Sequence, residues 1–144
     1  MSGDDSLIEM YQDIILKHNK TPQRKHPPEA GWLVVDGRNT TCGDEVVLGL
    51  SVSDEGVVED GCFDGASCAI CTASASMMVE DVIGRTIDEV RERSQNIQDS
   101  LTGETQIDSS EGDLAALNGV RRFPVRLKCA SLPWEVLDKA LVQS

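Results

Sequence analysis

Aromatic side chains are scarce in this 144-residue chain, at 3% of the sequence, so Ile, Val, Leu and Met must supply most of its core. Positive charge is short as well: 13 Lys and Arg stand against 25 Asp and Glu, a formal net charge of −12. Such a balance repels phosphate backbones and anionic lipid, and no basic cluster with interleaved aromatics offsets it. Nucleic acid and membrane are therefore not expected partners, whereas a basic patch on another protein is. Long apolar runs are missing; nothing approaches the roughly 20 residues of a membrane span. The opening residues, Met1-Ser-Gly-Asp-Asp5, are acidic where an export signal is basic. Five cysteines, an odd number, are then better read as thiols than as a disulfide framework, and the expected location is cytoplasmic. The sequence offers no Gly-rich phosphate loop and no Ser/His/Asp arrangement. Its two histidines, His18 and His26, stand isolated near the start and are expected to be solvated or capping.

What is present fits one domain spanning residues 1–144, long enough to bury a core without disulfides. Leu7, Tyr11 and Ile14, with Met10 and Ile15 beside them, recur at helical spacing through residue 17, with Ser6 as N-cap. The Pro- and Gly-containing stretch 21–31 breaks that helix. Trp32–Asp36 is a short strand. Val46, Leu48, Leu50 and Val52 alternate with smaller or more polar neighbours and predict a second strand with one apolar row. Ser53–Gly56 supplies turn chemistry, and Val57–Phe63 returns as a hairpin partner. From Ala69 to Ile83 the pattern predicts a helix with small residues in its first turns, closed by Gly84. Thr86 to about Gln95 follows as another, with Thr86-Ile-Asp-Glu89 as its capping box. Residues 96–112 are polar and read as an irregular insertion. Asp113 is placed to cap a short helix through Leu117. An extended segment, Phe123–Cys129, leads into a last helix with Trp134, Leu137 and Leu141 on one face. Strands first and helices afterwards argue for an α+β fold.

The cysteines carry the chemistry. Cys42 lies in the turn-rich Asn39-Thr-Thr-Cys-Gly-Asp44, where a thiolate and a carboxylate separated by glycine can face one point, and both are zinc ligands. Taken alone, such a turn is commoner without a metal. Cys68 sits at a predicted helix start, where unpaired N–H groups favour a thiolate, although a packed, inert thiol is the usual alternative. Cys129 occupies the junction of an extended segment and a helix, 61 positions after Cys68, a separation that no spacing rule links. Cys68-Ala-Ile-Cys71 has the form of a redox CxxC pair, but the preceding hairpin is not the β-α-β setting of such proteins, so Cys71 is read as a small helix residue. Cys62, in a strand, is read as a core residue.

Three blocks in order, Asn39-Thr-Thr-Cys-Gly-Asp44, Gly65-Ala-Ser-Cys-Ala-Ile-Cys-Thr-Ala-Ser-Ala-Ser-Met-Met78 and Phe123-Pro-Val-Arg-Leu-Lys-Cys-Ala-Ser-Leu-Pro-Trp134, resemble the signature blocks of the IscU/SufU (NifU N-terminal-like) family over nearly the whole chain. The resemblance implies an α+β fold with a small antiparallel sheet of about three strands packed against several helices. It also implies a metal site of Cys42, Asp44, Cys68 and Cys129 holding zinc, or alternatively iron or a [2Fe–2S] cluster. IscU-type scaffolds carry His before the third cysteine; here that residue is Lys128, and the longer stretch between Cys68 and Cys129 likewise resembles the SufU type. For that type the implied role is zinc-dependent sulfur transfer, in which Cys42 accepts sulfur from a SufS-type cysteine desulfurase for the downstream SUF cluster assembly machinery. The alternative is a cluster scaffold using the same ligands. Arg126 is a candidate donor to the ligand sulfurs from outside the metal's own shell. Cys71 departs from the family, which usually has serine there.

Overall fold

The structure, a computed structural model, describes residues 3–40, 43–103 and 105–143; the side chains of residues 3–8, 109 and 143 lie outside the description. Helix α1 spans Gly3–Lys20, strands β1, β2 and β3 span Leu33–Asn39, Asp44–Val52 and Val58–Asp64, and helices α2 and α3 span Ala69–Val82 and Ile87–Leu101. A 3₁₀ segment Ser109–Arg122 and a 3₁₀ turn Pro124–Arg126 lead to helix α4, Leu127–Gln143. This is the expected α+β architecture: one antiparallel sheet in the order β1-β2-β3 with helices packed on it.

Alternation in β2 works as anticipated. Val46, Leu48 and Leu50 are all but fully buried, whereas Val47 and Ser51 are half-buried. Val52 drops out of the row because the β2–β3 register slips at Ser51/Val52. The segment after α1 also works on the sheet: Phe63 donates its N–H to the Arg24 carbonyl and His26 donates to the Phe63 carbonyl, so the outer edge of β3 is covered.

Helix α2 is the pivot. Helices α1 and α4, strand β3 and the 3₁₀ segment all pack on it, and Ala73, Ser74, Ala75 and Ser76 are fully buried. Small side chains let those neighbours approach closely, and the buried hydroxyls are each satisfied. Ser74 Oγ donates to the Ala130 carbonyl at 2.6 Å and accepts the Trp134 indole N–H at 3.1 Å, which ties α2 to α4. Trp134, Leu137 and Leu141 form the buried face of α4 as the periodicity requires. α4 packs on β1 and β2.

Helix boundaries shift in places. α1 begins at Gly3, so Ser6 is within the helix and not its cap; the side chains of Ser6 and Leu7 are outside the description. Met10 is 48% exposed, and the buried stripe runs instead through Tyr11 and Ile15 to His18. Residues 96–101 complete α3, so the stretch 96–112 is irregular only between α3 and Ser109. Asp108 caps the 3₁₀ segment, and Asp113 lies inside it just past a break at Gly112. The segment expected to be extended before the last helix coils into the Pro124–Arg126 turn, because proline fixes φ at a helical value and suits the first position of a turn.

The capping box of α3 is complete: Glu89 N–H donates to Thr86 Oγ1, and Thr86 N–H donates to Glu89 Oε1. The bond from the Thr86 backbone, reinforced by the Thr86 side chain, holds the Glu89 carboxyl below its ordinary 4.5. A depressed folded value means that this contribution is complete above pH 4.5 and is lost as pH falls through the folded value. Acidification below pH 4.5 is expected to fray the first turn of α3 in wild type, read by amide exchange at residues 87–90. Thr86→Ala is expected to fray it at neutral pH as well.

Candidate metal centre

Three elements far apart in sequence meet at one point. Asp44 opens β2, Cys68 caps α2, and Cys129 lies in the first turn of α4 and is fully buried. One ligand atom from each, a carboxylate oxygen and two sulfurs, all fall within 4.8 Å of one another. Asp44 is 2% exposed and Cys68 is half-buried.

Local structure explains the meeting. β1 and β2 pair as antiparallel strands down to Asn39 opposite Asp44. Gly43 takes a left-handed φ of 76° and donates its N–H to the Asn39 carbonyl, the conformation glycine adopts without strain. After β3 the chain folds back against the start of β2, where the Glu45 N–H donates to the Ala66 carbonyl and the Cys68 N–H donates to Asp44 Oδ1 at 2.8 Å. This approach depends on Gly65. Its φ is +114°, and a Cβ there would sit 2.3 Å from the Glu45 carbonyl oxygen. Gly65→Ala is expected to cost about 2–4 kcal/mol, from a strained backbone and a forced clash, and to weaken metal binding because Cys68 is moved. Denaturant unfolding with and without chelator checks both effects; a loss under about 0.5 kcal/mol, the range of ordinary surface changes, would mean the loop is not held as described.

Within the site, Cys68 Sγ lies 3.8 Å from Asp44 Oδ2 and accepts the Cys71 N–H at 3.5 Å. Cys68 is the N-cap of α2, its sulfur accepting the Cys71 N–H of the first helical turn. The donor set suits zinc. Bonds of about 2.3 Å to sulfur and about 2.0–2.2 Å to oxygen put neighbouring donors of a tetrahedral ion roughly 3–4 Å apart, so atoms within 4.8 Å need only small side-chain movements. Cys42, the fourth expected ligand, lies outside the described residues, next to Gly43 and two positions before Asp44. Arg126 is exposed in the 3₁₀ turn before α4, three residues ahead of Cys129.

The other cysteines behave as core residues. Cys62 is fully buried, and burial raises its thiol above 9.0, which keeps it protonated. Cys71 is fully buried in the first turn of α2. Among the described residues no disulfide is present.

His18 was missed. It is neither solvated nor a cap but 8% exposed, with Nδ1 2.8 Å from Ser76 Oγ and Nε2 2.8 Å from Asp113 Oδ2. A Ser/His/Asp arrangement therefore does exist, contrary to expectation. Ser76 is fully buried and its oxygen already accepts the Gln23 N–H at 2.7 Å, so it serves as a tie between α1, α2 and the 3₁₀ segment and not as a nucleophile. The signal was available: His18 falls seven residues after Tyr11, on the helix face that is buried. On the same side of the molecule Arg93 bridges Asp81 and Glu111 at 2.7 and 2.6 Å, and its bond to Asp81 raises the pKa of the guanidinium.

No described helix is long and apolar enough to cross a membrane. Residues 10–142 match the family described as NifU-like N terminal domain. The chain is 38% identical over 144 residues to the zinc-dependent sulfurtransferase SufU of Bacillus subtilis, covering 99% of this chain and 97% of that one. To the iron–sulfur cluster assembly scaffold protein IscU of Thermotoga maritima it is 32% identical over 132 residues, covering 92% of each. A crystal structure of an iron–sulfur cluster assembly scaffold protein for the SUF system from Fervidobacterium islandicum superposes with a TM-score of 0.82 at 32% identity, over 90% of this chain and 94% of that one. Sequence blocks, fold and full-length similarity agree, and the chain belongs to the NifU-like N-terminal domain family as a SufU-type member.

Proposed function

We propose that the chain is a zinc-dependent sulfurtransferase that takes persulfide sulfur from a SufS-type cysteine desulfurase and passes it to the SUF machinery for iron–sulfur cluster assembly in the cytoplasm. The observation that carries this reading is the convergence of Asp44, Cys68 and Cys129 within 4.8 Å in a chain 38% identical to a zinc-dependent sulfurtransferase. Cys42 completes the proposed ligand set, and the whole chain acts as one domain. Zinc held by these residues would keep their thiols ionised at neutral pH.

Roles divide by position. Cys68 and Cys129 are set in helices and Asp44 is fixed by the Cys68 N–H, so these three are the retained donors. Cys42, next to Gly43 in the sequence, is the sulfur acceptor. Its thiolate attacks the terminal sulfur of the desulfurase persulfide. The persulfide S–S bond breaks, the desulfurase cysteine leaves as a thiolate, and Cys42 carries the sulfur as a new persulfide. An open cleft of ≈ 460 Å³ lies between the hairpin (Arg38, Asn39, Thr40), the end of α3 (Gln98, Leu101, Thr102) and α4 (Leu127, Lys128, Ser131, Leu132, Glu135), and takes in Asn39, the partner of Asp44, and Lys128, the neighbour of Cys129. It offers room for a partner's cysteine loop, with two cations on an otherwise acidic molecule. Arg126 is proposed to donate to the ligand sulfurs.

A second reading is favoured by the scaffold names of the Thermotoga and Fervidobacterium relatives. In it the same residues hold a [2Fe–2S] cluster. Lys128 before Cys129, where IscU-type scaffolds have His, supports the transferase instead. The test is turnover of the cognate desulfurase with and without the zinc-loaded protein under reductant, followed by intact-mass analysis of the acceptor. Strong stimulation with one added sulfur supports transfer. No stimulation with zinc in place, and a visible chromophore that survives desalting after anaerobic iron and sulfide addition, would establish the scaffold.

A further inference from the structure

We propose that Cys68 and Cys71 form a reversible disulfide at the start of α2 that withdraws Cys68 from the donor cluster. The disulfide stands on local geometry alone; its consequence for zinc rests on the ligand reading above.

The two residues share one helical turn. Cys68 is the N-cap, and its Sγ accepts the Cys71 backbone N–H at 3.5 Å, so the Cys71 Cβ, two bonds from that nitrogen, is within side-chain reach of the Cys68 sulfur. Cα atoms three apart in helical geometry lie about 5 Å from each other, inside the roughly 4.4–6.8 Å separation of Cα atoms that a disulfide needs. Cys71 also differs from the neighbouring sulfur of Cys129, because it is not one of the proposed ligands and closing the bond to it leaves α2 and α4 unlinked. Accessibility sets the order of events: Cys68 is half-buried and Cys71 is fully buried, so a small oxidant meets Cys68 first.

Hydrogen peroxide is an oxidant of suitable size. The Cys68 sulfur attacks one peroxide oxygen, the O–O bond breaks, and Cys68 becomes a sulfenic acid as water leaves. The Cys71 sulfur then attacks the Cys68 sulfur, the S–O bond breaks, and the hydroxyl departs with the Cys71 proton as a second water. Two thiols are oxidised and one peroxide is reduced to two waters. Cys68 can no longer serve as a thiolate donor, which leaves Asp44 and Cys129 of the described cluster. Thiol reductants reverse the change by exchange.

The experiment treats the metal-free and zinc-loaded full-length protein with peroxide, blocks remaining thiols with N-ethylmaleimide, and maps peptides without reduction. In the metal-free protein the peptide carrying both residues should be two hydrogens lighter and unlabelled at Cys68 and Cys71. In the zinc-loaded protein, zinc captured by a chromogenic chelator should appear in step with that peptide and return to the site after dithiothreitol and added zinc. Cys71→Ser, shown by zinc content and thermal melting to be folded, should leave the Cys68 sulfenic acid to oxidise on to the irreversible sulfinic acid, so that dithiothreitol and added zinc restore several-fold less zinc than in wild type; Cys71→Ala serves if the serine variant does not fold. Cys68 joined to Cys129 or Cys42 instead would overturn the proposal. The expected disulfide forming in metal-free protein with zinc returning equally after dithiothreitol in wild type and the Cys71 variants would overturn its link to the metal alone, and would implicate the ligand reading.

Discussion

Asp44→Ala is expected to empty the metal site and to destabilise the protein by on the order of 3 kcal/mol or more, because structural zinc binding contributes roughly 10–16 kcal/mol to folding and is shared among few ligands. Two losses coincide at this residue. The proposed donor oxygen disappears, and so does the acceptor for the Cys68 N–H that sets the start of α2. Asp44→Asn separates them, since it keeps an acceptor for the N–H while removing the charge that a zinc ligand supplies. The expected order of zinc retention against a competing chelator is wild type, then Asn, then Ala. In chelator-stripped protein, Asn should match wild type in thermal stability while Ala remains lower. Cys68→Ala and Cys129→Ala should likewise lose zinc and stability together. If all of these variants hold zinc as wild type does, the cluster of Asp44, Cys68 and Cys129 is not the site.

Cys42→Ala is expected to behave in the opposite way, keeping the fold and part of the zinc while sulfur acceptance falls to background. The contrast follows from position. Cys68 and Cys129 belong to helices whose buried faces are held by the rest of the core, so their loss disturbs packing. Cys42 falls in sequence between Asn39 and Asp44, whose pairing does not involve it. Intact-mass analysis after incubation with a persulfide-loaded desulfurase reads the outcome directly. Normal acquisition of sulfur by Cys42→Ala would end the assignment of the acceptor and leave Cys68 and Cys129 as the sulfurs to test.

Local pattern carried much of the fold. The apolar row of β2, the capping box at Thr86 and the buried face of α4 each follow from a period or a cap confined to a few residues, whereas α2 ends on Ile83 as its C-cap, one residue before the glycine expected to close it. The site was legible in another way. Asp44, Cys68 and Cys129 come from three separate elements, and nothing in their spacing joins them; only the ordered resemblance of three blocks did so before the geometry was seen. What stayed hidden was tertiary. His18 looked like a solvated histidine because its partners, Ser76 and Asp113, lie 58 and 95 residues away. The stretch 96–112 looked irregular because its first residues are polar, yet Ile97 and Leu101 lie on a buried stripe of α3, and Gln98 meets Asp138 of α4 at 2.7 Å. Polar composition describes the outer face of a helix and says little of the inner one.

The contact between Trp134 and Ser74 has an optical consequence. The chain has two tryptophans. Trp134 is fully buried with its indole N–H on Ser74, whereas Trp32 is half-buried beside the His26 ring at 6.5 Å. Emission on the blue side of the fluorescence band therefore belongs to Trp134 and follows the docking of α2 on α4, the two helices that carry Cys68 and Cys129. Emission on the red side belongs to Trp32 and follows the start of the sheet. With Trp32→Phe to isolate the first signal, a stopped-flow trace on zinc removal reports when the two sulfurs part company, with no label attached to the protein.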